Sequence, residues 1–281
     1  MGGTLDYDEA EARQEEAIYR TPAAAARRER VRNLLALESG DEVLSIGCGP
    51  GFEPAEIGEA VGDGGQVHGI DQSKAMLELA RERCAPLPQV TLSQANATDL
   101  PVTDGSVDAA VAVQVFEYLE TVDSAISEVA RVLQPGGAAV VCDADFASLV
   151  WRSPTPGRMR RVLDAFDDHC PQPRLGSRLA PHLREAGLTV DRVEPNTIVN
   201  TRLNKDTFAS HLLQFIEDYA ADHGDIGPTA AAAWADDLRE QEAAGETFFS
   251  FTQYSYLVHK PKLAEGNTVS GRRRDHRSDT Q

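Results

Sequence analysis

Long apolar runs are missing from this chain: in its 281 residues no stretch approaches 18 consecutive apolar residues, and Met1 to Asp8 lack a basic segment followed by a hydrophobic one. The sequence therefore predicts no transmembrane segment and no ordinary secretory signal, and a cytoplasmic protein is expected. Cysteine is scarce. Cys48, Cys84, Cys142 and Cys170 are widely spaced with no C-x-x-C pair, which supports neither a disulfide framework nor a metal site and leaves reduced thiols as the expectation. Lysine is nearly absent: Lys74, Lys205, Lys260 and Lys262 are the only four among 27 basic residues, set against 45 acidic ones, for a net charge of −18. Such a balance disfavours nucleic acid as a general partner, because phosphate binding is driven by cationic neutralisation and counterion release. Dense carboxylates with so little lysine also predict a halophilic protein, since high salt screens the self-repulsion.

What is present is a glycine loop. Residues 41 to 51 read Asp-Glu-Val-Leu-Ser-Ile-Gly-Cys-Gly-Pro-Gly, an apolar strand from Val43 to Ile46 running into glycines at 47, 49 and 51. Residues without a Cβ at the carboxyl end of a strand let the backbone approach a ligand closely, so the loop predicts a cofactor site. A dinucleotide fingerprint would need glycine three residues after Gly49, where this chain has Phe52, so a bound pyrophosphate is disfavoured. The next apolar run, Gln66 to Ile70, ends in Asp71, 20 residues beyond Gly51. A carboxylate at that strand tip can accept hydrogen bonds from both hydroxyls of a ribose, as any adenosine-containing ligand requires.

Four blocks in order carry a resemblance: Val43 to Gly51; Gly69-Ile70-Asp71 with Ser73 and Met76; Asn96-Ala97-Thr98-Asp99-Leu100-Pro101; and Arg131-Val132-Leu133-Gln134-Pro135-Gly136-Gly137. Over about residues 41 to 143 the chain resembles the class I S-adenosylmethionine-dependent methyltransferases, of the type that includes the ubiquinone and menaquinone C-methyltransferases; with the acidic composition, a haloarchaeal member is expected. The resemblance implies S-adenosyl-L-methionine as cofactor, held by Ser45, Gly47, Cys48, Gly49, Gly51, Asp71, Gln72, Met76, Asn96, Ala97 and Gln114. Within that set, Asn96 and the backbone of Ala97 correspond to the adenine position and Gln114 to the methionine portion. Most relatives carry an acid where this chain has Ser45. The missing charge on the cofactor's ammonium costs about 1 kcal/mol unless another carboxylate substitutes, with Glu53 or Asp143 as candidates.

Strand and helix patterns alternate from residue 41. Apolar strands are expected at Val43 to Ile46, Val67 to Ile70, Val90 to Leu92, Val107 to Val115 and Ala138 to Cys142, with helices at about 53 to 60, 73 to 84 and 122 to 133. The fold class is α/β: a Rossmann-like, mostly parallel sheet with helices on both faces, whose right-handed crossovers bring the loops after 46, 70, 95 and 113 to one edge. Residues 1–40 are expected to be helical, a lid in the resembled family. Residues 41–145 form the cofactor half of a methyltransferase domain that ends near 260, and 146–260 the substrate half. There Leu188 to Val199 and Thr247 to Val258 read as an antiparallel last pair of strands, with helices at 206 to 244 inserted over the site mouth. Residues 261–281, with Arg272 to Arg274, read as a disordered tail.

Methyl transfer from a sulfonium needs alignment and desolvation, and a base only where the acceptor must lose a proton. Asp145, just past the fifth strand, is the first candidate for that base, then Glu117, with Tyr118 and His169 also near the expected mouth. Aromatics of the second half, among them Phe146, Phe208, Phe215 and Phe251, predict a small hydrophobic or aromatic acceptor, and the resemblance implies a quinone-like one. The partner expected is that small molecule, with a homodimer left open, since oligomeric state does not follow from the sequence. Two other readings stand beside this one: a non-catalytic S-adenosylmethionine- or S-adenosylhomocysteine-binding regulator, which Ser45 favours, and a nucleotide-sugar or NAD-dependent enzyme, which Phe52 disfavours.

Overall fold

A computed structural model describes residues 9–262 apart from residue 224; residues 263–281 of the expected tail, with its arginine cluster, and the first eight residues of the N-terminal segment lie outside the described residues. Its centre is a seven-stranded sheet. The strands are β1 (Glu42–Ile46), β2 (Gln66–Asp71), β3 (Val90–Gln94), β4 (Val107–Val113), β5 (Leu133–Trp151), β6 (Thr189–Asn200) and β7 (Phe249–His259). Their order across the sheet is β3-β2-β1-β4-β5-β7-β6, parallel as far as β5 and antiparallel at both β7 contacts, which agrees with the expected architecture. Ile46 is level with Ile70 on one side and Ala112 on the other, so the carboxyl ends of β1, β2 and β4 open at one edge.

Strand alternation sorts side chains between the faces. Leu44, Ile46, Ala110, Ala112 and Val141 turn toward α5 (Val122–Val132) and α7 (Leu179–Glu185). Val43, Val67, Ala109, Val111 and Val140 turn toward α2 (Pro22–Leu35) and α3 (Phe52–Val61). In α5 the buried residues Val122, Ala125, Ile126, Val129 and Val132 recur at helical spacing, giving one apolar stripe for the sheet. On β2's far side α4 (Lys74–Cys84) starts at Ser73, whose hydroxyl accepts from the Met76 N–H at 3.3 Å.

The chain departs from expectation at β5. An apolar strand of Ala138 to Cys142 is legible, yet the element extends from Leu133 to Trp151. The extension exists because β7 pairs with it from Ala138 to Asp145 and again at Val150 and Trp151, across a bulge closed by Ser148, whose hydroxyl accepts from the Thr252 N–H at 2.9 Å and donates to the Asp145 carbonyl at 2.7 Å. Over this end lie α6 (Pro156–Phe166), α8 (Phe208–Asp222) and α9 (Pro228–Ala243), around a second core that contains Trp151, Phe166, Trp234, Phe249 and Phe251.

The N-terminal segment forms α1 (Glu9–Tyr19) and α2, the latter capped by the Thr21 hydroxyl with Pro22 in its first turn. Phe52, at the position a dinucleotide loop would give to glycine, anchors α1. Its ring stacks on Tyr19 with centroids 6.2 Å apart, and the Arg83 guanidinium lies 3.5 Å from its centroid. Among the described residues no helix is long and apolar enough to cross a membrane, and no group of three His, Cys, Asp or Glu side chains could hold a metal; all four cysteines are free and buried.

Candidate active site

The loops expected to converge do so around one cavity. Gly47 and Gly49 enter from β1, Asp71 and Gln72 from β2, Ala95, Asn96 and Ala97 from β3, and Gln114 and Val115 from β4. Backbone geometry makes the glycines necessary at two points. At Gly47, φ is +61° and a Cβ would run into the Val115 side chain. At Gly51, φ is +84° and a Cβ would stand 2.7 Å from Ala80 Cα, so this residue serves the close packing of α3 on α4 and is not in the cavity wall.

Asp71 is tied to the loop it faces: one carboxylate oxygen accepts the Gly49 N–H and the other the Ser73 N–H, each at 2.8 Å. Burial pushes its pKa up, against the pull of those N–H groups and that of Gln72. The free lone pairs of this fixed carboxylate are available to paired hydroxyls. Asn96 is held by its own turn, its side-chain oxygen accepting from the Thr98 N–H and hydroxyl at 3.0 Å, which leaves its amide N–H groups for a ligand. Met76 packs at the same end, and Gln114 closes it with φ +55°, its N–H donating to the Cys142 carbonyl at 2.7 Å.

Ser45 and Cys48 border a side chamber of about 20 Å³, which shares Tyr19, Arg27 and Gly47 with the main cavity. That is room for one water-sized group. Ser45 is there because it alternates onto the α2/α3 face of β1 with Val43. Opposite it stands Glu53, whose Oε1 is buried without a hydrogen-bond partner and whose pKa is pushed up to about 7 by burial and then by Glu56, against Arg32, Arg27 and Arg28.

Of the expected bases, Tyr118 is in the wall, whereas Glu117, Asp145 and His169 stand outside it. Glu117 is fully buried, its Oε2 accepting the Ala144 N–H at 2.6 Å and its Oε1 the Gln114 amide at 3.5 Å. Asp143 lies beside it and accepts three N–H groups, of Val115, Phe116 and Glu117, on one oxygen. Burial pushes the pKa of both up, and for Glu117 the charge of Asp143 adds to it. Asp145 accepts the Ala147 N–H at 3.0 Å and takes no part in the cavity lining. His169 donates from Nδ1 to the Phe166 carbonyl at 2.6 Å, stacks on that ring, and is pushed down to about 4 by burial. It opens onto a separate cleft with Cys170 and Arg174.

The far end of the main cavity is apolar and aromatic: Tyr118, Phe146, Phe208, Leu212, Phe215 and Phe251. The other second-half aromatics do different work. Trp151, Phe166, Trp234 and Phe249 are core, and Phe248 is exposed. The N-terminal helices were expected over the site, but the residues they contribute were not singled out in the sequence: Glu15, Ile18 and Tyr19 from α1 and Arg27 from α2. Arg27 is buried, donating to Gln114 and, at 3.0 Å, to the Gln253 side-chain oxygen. The available signal was an Arg27-Arg28 pair at the end of an alanine run, at helical spacing from the apolar Ala24, Val31 and Leu35 and so on the same face of the helix.

Residues 44–141 match the methyltransferase domain family. The chain is 32% identical over 238 residues to an uncharacterized 37.1 kDa protein in a transposon of Streptomyces fradiae, covering 83% of this chain and 67% of that one. It is 36% identical over 110 residues to the demethylmenaquinone methyltransferase of Tropheryma whipplei, 39% of this chain and 44% of that one, so it spans under half the length of that relative. Among solved structures, phosphoethanolamine N-methyltransferase 2 of Haemonchus contortus, in complex with phosphomonomethylethanolamine and S-adenosylhomocysteine, is similar in fold. Its TM-score is 0.59 at 17% identity, over 91% of this chain and 58% of that one.

Proposed function

The chain belongs to the class I S-adenosylmethionine-dependent methyltransferases, and we propose that it transfers a methyl group to a small, flat, hydrophobic acceptor of the quinol or aromatic kind. One observation carries this reading: a single cavity has a polar end built from backbone and Asp71, and an end walled by five aromatic rings and Leu212. The residues present fit the cofactor. The Gly47 turn, where a Cβ would strike the Val115 side chain of the cavity wall, and the loop-anchored Asp71 suit an adenosyl group, and the unpartnered Glu53 oxygen suits an ammonium.

In this reading Asp71 receives the ribose hydroxyls, Asn96 and Ala97 the adenine edge, and Gln114 and Arg27 the methionine carboxylate end. Glu53 supplies, across the side chamber, the negative charge that Ser45 does not. When bound, the cofactor supplies a sulfonium-activated methyl group. The protein's part is to align the acceptor against it and to exclude water, which the aromatic wall and α1 and α2, acting as a cover, accomplish.

Calorimetry with S-adenosylhomocysteine and with NAD, joined to methyl transfer from labelled cofactor into reduced 1,4-naphthoquinone, tests the reading. Binding of S-adenosylhomocysteine without NAD, and label in the naphthoquinol, are expected. Firm S-adenosylhomocysteine binding with no label moved into naphthoquinol or any cell-extract fraction, over a range of salt, would instead make the chain a regulator, the second reading that Ser45 favours.

A further inference from the structure

We propose that Glu15, on the N-terminal helix, is the general base of the transfer and accepts the proton of an acidic hydroxyl on the acceptor, an inference that rests on the reading of the cavity given above. The ionisable side chains in the cavity wall, among the described residues, are Glu15, Tyr19, Arg27, Asp71 and Tyr118. Both Asp71 oxygens are committed, one to the Gly49 N–H and the other to the Ser73 N–H, and Arg27 is a cation that donates to Gln114 and Gln253. Tyr19 is stacked on Phe52, and burial holds its phenol protonated. Glu117 and Asp145 are bonded to backbone N–H groups outside the wall. Glu15 is the carboxyl in the wall that no hydrogen bond or ion pair holds among the described residues.

Its position joins the two ends of the site. On the same helix, Tyr19 lies over Gly49, where a Cβ would be 3.2 Å from the phenol oxygen, and Ile18 packs against the aromatic core. The ionisable groups that share the wall with Glu15 are Tyr19 on its own helix, Arg27 from α2, Asp71 from β2 and Tyr118 beyond β4, while α8 contributes the apolar Phe208, Leu212 and Phe215. Burial without a compensating hydrogen bond pushes Glu15 up to about 7, where a carboxylate is basic enough to take a phenolic proton and is still half ionised at neutral pH.

This restricts the acceptor class. A thiolate arrives without a proton, and an aliphatic alcohol holds its proton too tightly for a carboxylate. A phenol, enol or quinol hydroxyl matches. Its O–H bond breaks and the proton passes to a Glu15 oxygen; the electron pair left on the acceptor oxygen forms the new O–CH3 bond as the carbon–sulfur bond breaks and its pair stays on sulfur. Glu15 then returns the proton to solvent.

The experiment compares wild type, Glu15→Gln and Glu15→Asp for S-adenosylhomocysteine affinity by calorimetry and for label transfer to naphthoquinol from pH 5.5 to 9. Glu15→Gln is expected to bind S-adenosylhomocysteine within twofold of wild type, which also reports an intact fold, and to lose about 10²-fold or more in kcat. The rise of wild-type kcat through pH 7 should vanish in Glu15→Gln and persist, at lower amplitude, in Glu15→Asp. Unchanged kcat in Glu15→Gln, or weakened S-adenosylhomocysteine binding with kcat retained at saturation, overturns the assignment while the methyltransferase reading stands. No transfer by wild type overturns the acceptor reading, and this inference with it.

Discussion

The two ends of the cavity are made differently. The cofactor end is backbone: Gly47, Gly49 and Ala97 with the fixed Asp71, all at or just past the carboxyl ends of the parallel strands β1, β2 and β3, which follow one another in sequence. The acceptor end is side chain: Ile18, Tyr118, Phe146, Phe208, Phe215 and Phe251, from segments separated by tens to hundreds of residues, meet only because β5 and β7 pair beyond the parallel sheet. Backbone sites demand particular residues at particular spacings, whereas a side-chain wall is satisfied by many apolar combinations. An end of the first kind is therefore expected to tolerate no substitution at its few fixed points, and one of the second kind to fail through packing.

The sharpest way to break this contrast is Trp234→Ala. Trp234 is fully buried against Trp151, with ring centroids 5.8 Å apart, in the core beneath the acceptor end. Its removal should cost about 3–5 kcal/mol and lower Tm by on the order of 10 °C. Below the transition, S-adenosylhomocysteine binding should be unchanged by calorimetry; a large loss of that binding would mean that the two ends are not separable. At the cofactor end, Asp71→Ala should weaken S-adenosylhomocysteine by about 2 kcal/mol, roughly thirtyfold. That change should leave the acceptor KM unaltered, and equal affinity in the variant would move the ribose elsewhere.

The smallest effect tests the seam between the ends, where Glu117 and Asp143 lie buried side by side. Both pKa values are raised in the folded state, so their contribution to stability is fully present below about 4, the unfolded carboxyl range, and is lost as pH rises through the folded values. Wild-type Tm should therefore fall between pH 5 and 8. In Glu117→Gln the fall should shrink by a few degrees, corresponding to about 1 kcal/mol. An unchanged slope of Tm against pH would show that the pair does not hold its protons into this range.

Much of the parallel half was legible because its signals are local. An apolar run ending in Gly-x-Gly, an aspartate at the next strand tip and a serine cap at residue 73 each follow from neighbouring residues. The length of β5 was not, since the stretch from Asp143 to Trp151 is held as strand by its partner β7 about a hundred residues later. For the same reason Asp145 and Glu117 read as mouth residues: strand order places them near the cavity, but their orientation depends on which backbone N–H groups come to meet them.

By itself the sequence determined the α/β alternation, the loop that only glycines can make and the carboxylate at the tip of β2, because strand periodicity and missing Cβ atoms act over a few residues. The tertiary structure alone decided that α1 and α2 bring Glu15 and Arg27 to the site, that Ser45 faces a side chamber shared with Glu53, and which aromatics form a wall and which a core. Those outcomes depend on how distant apolar faces pack to bury their area, a collective balance that no single segment encodes.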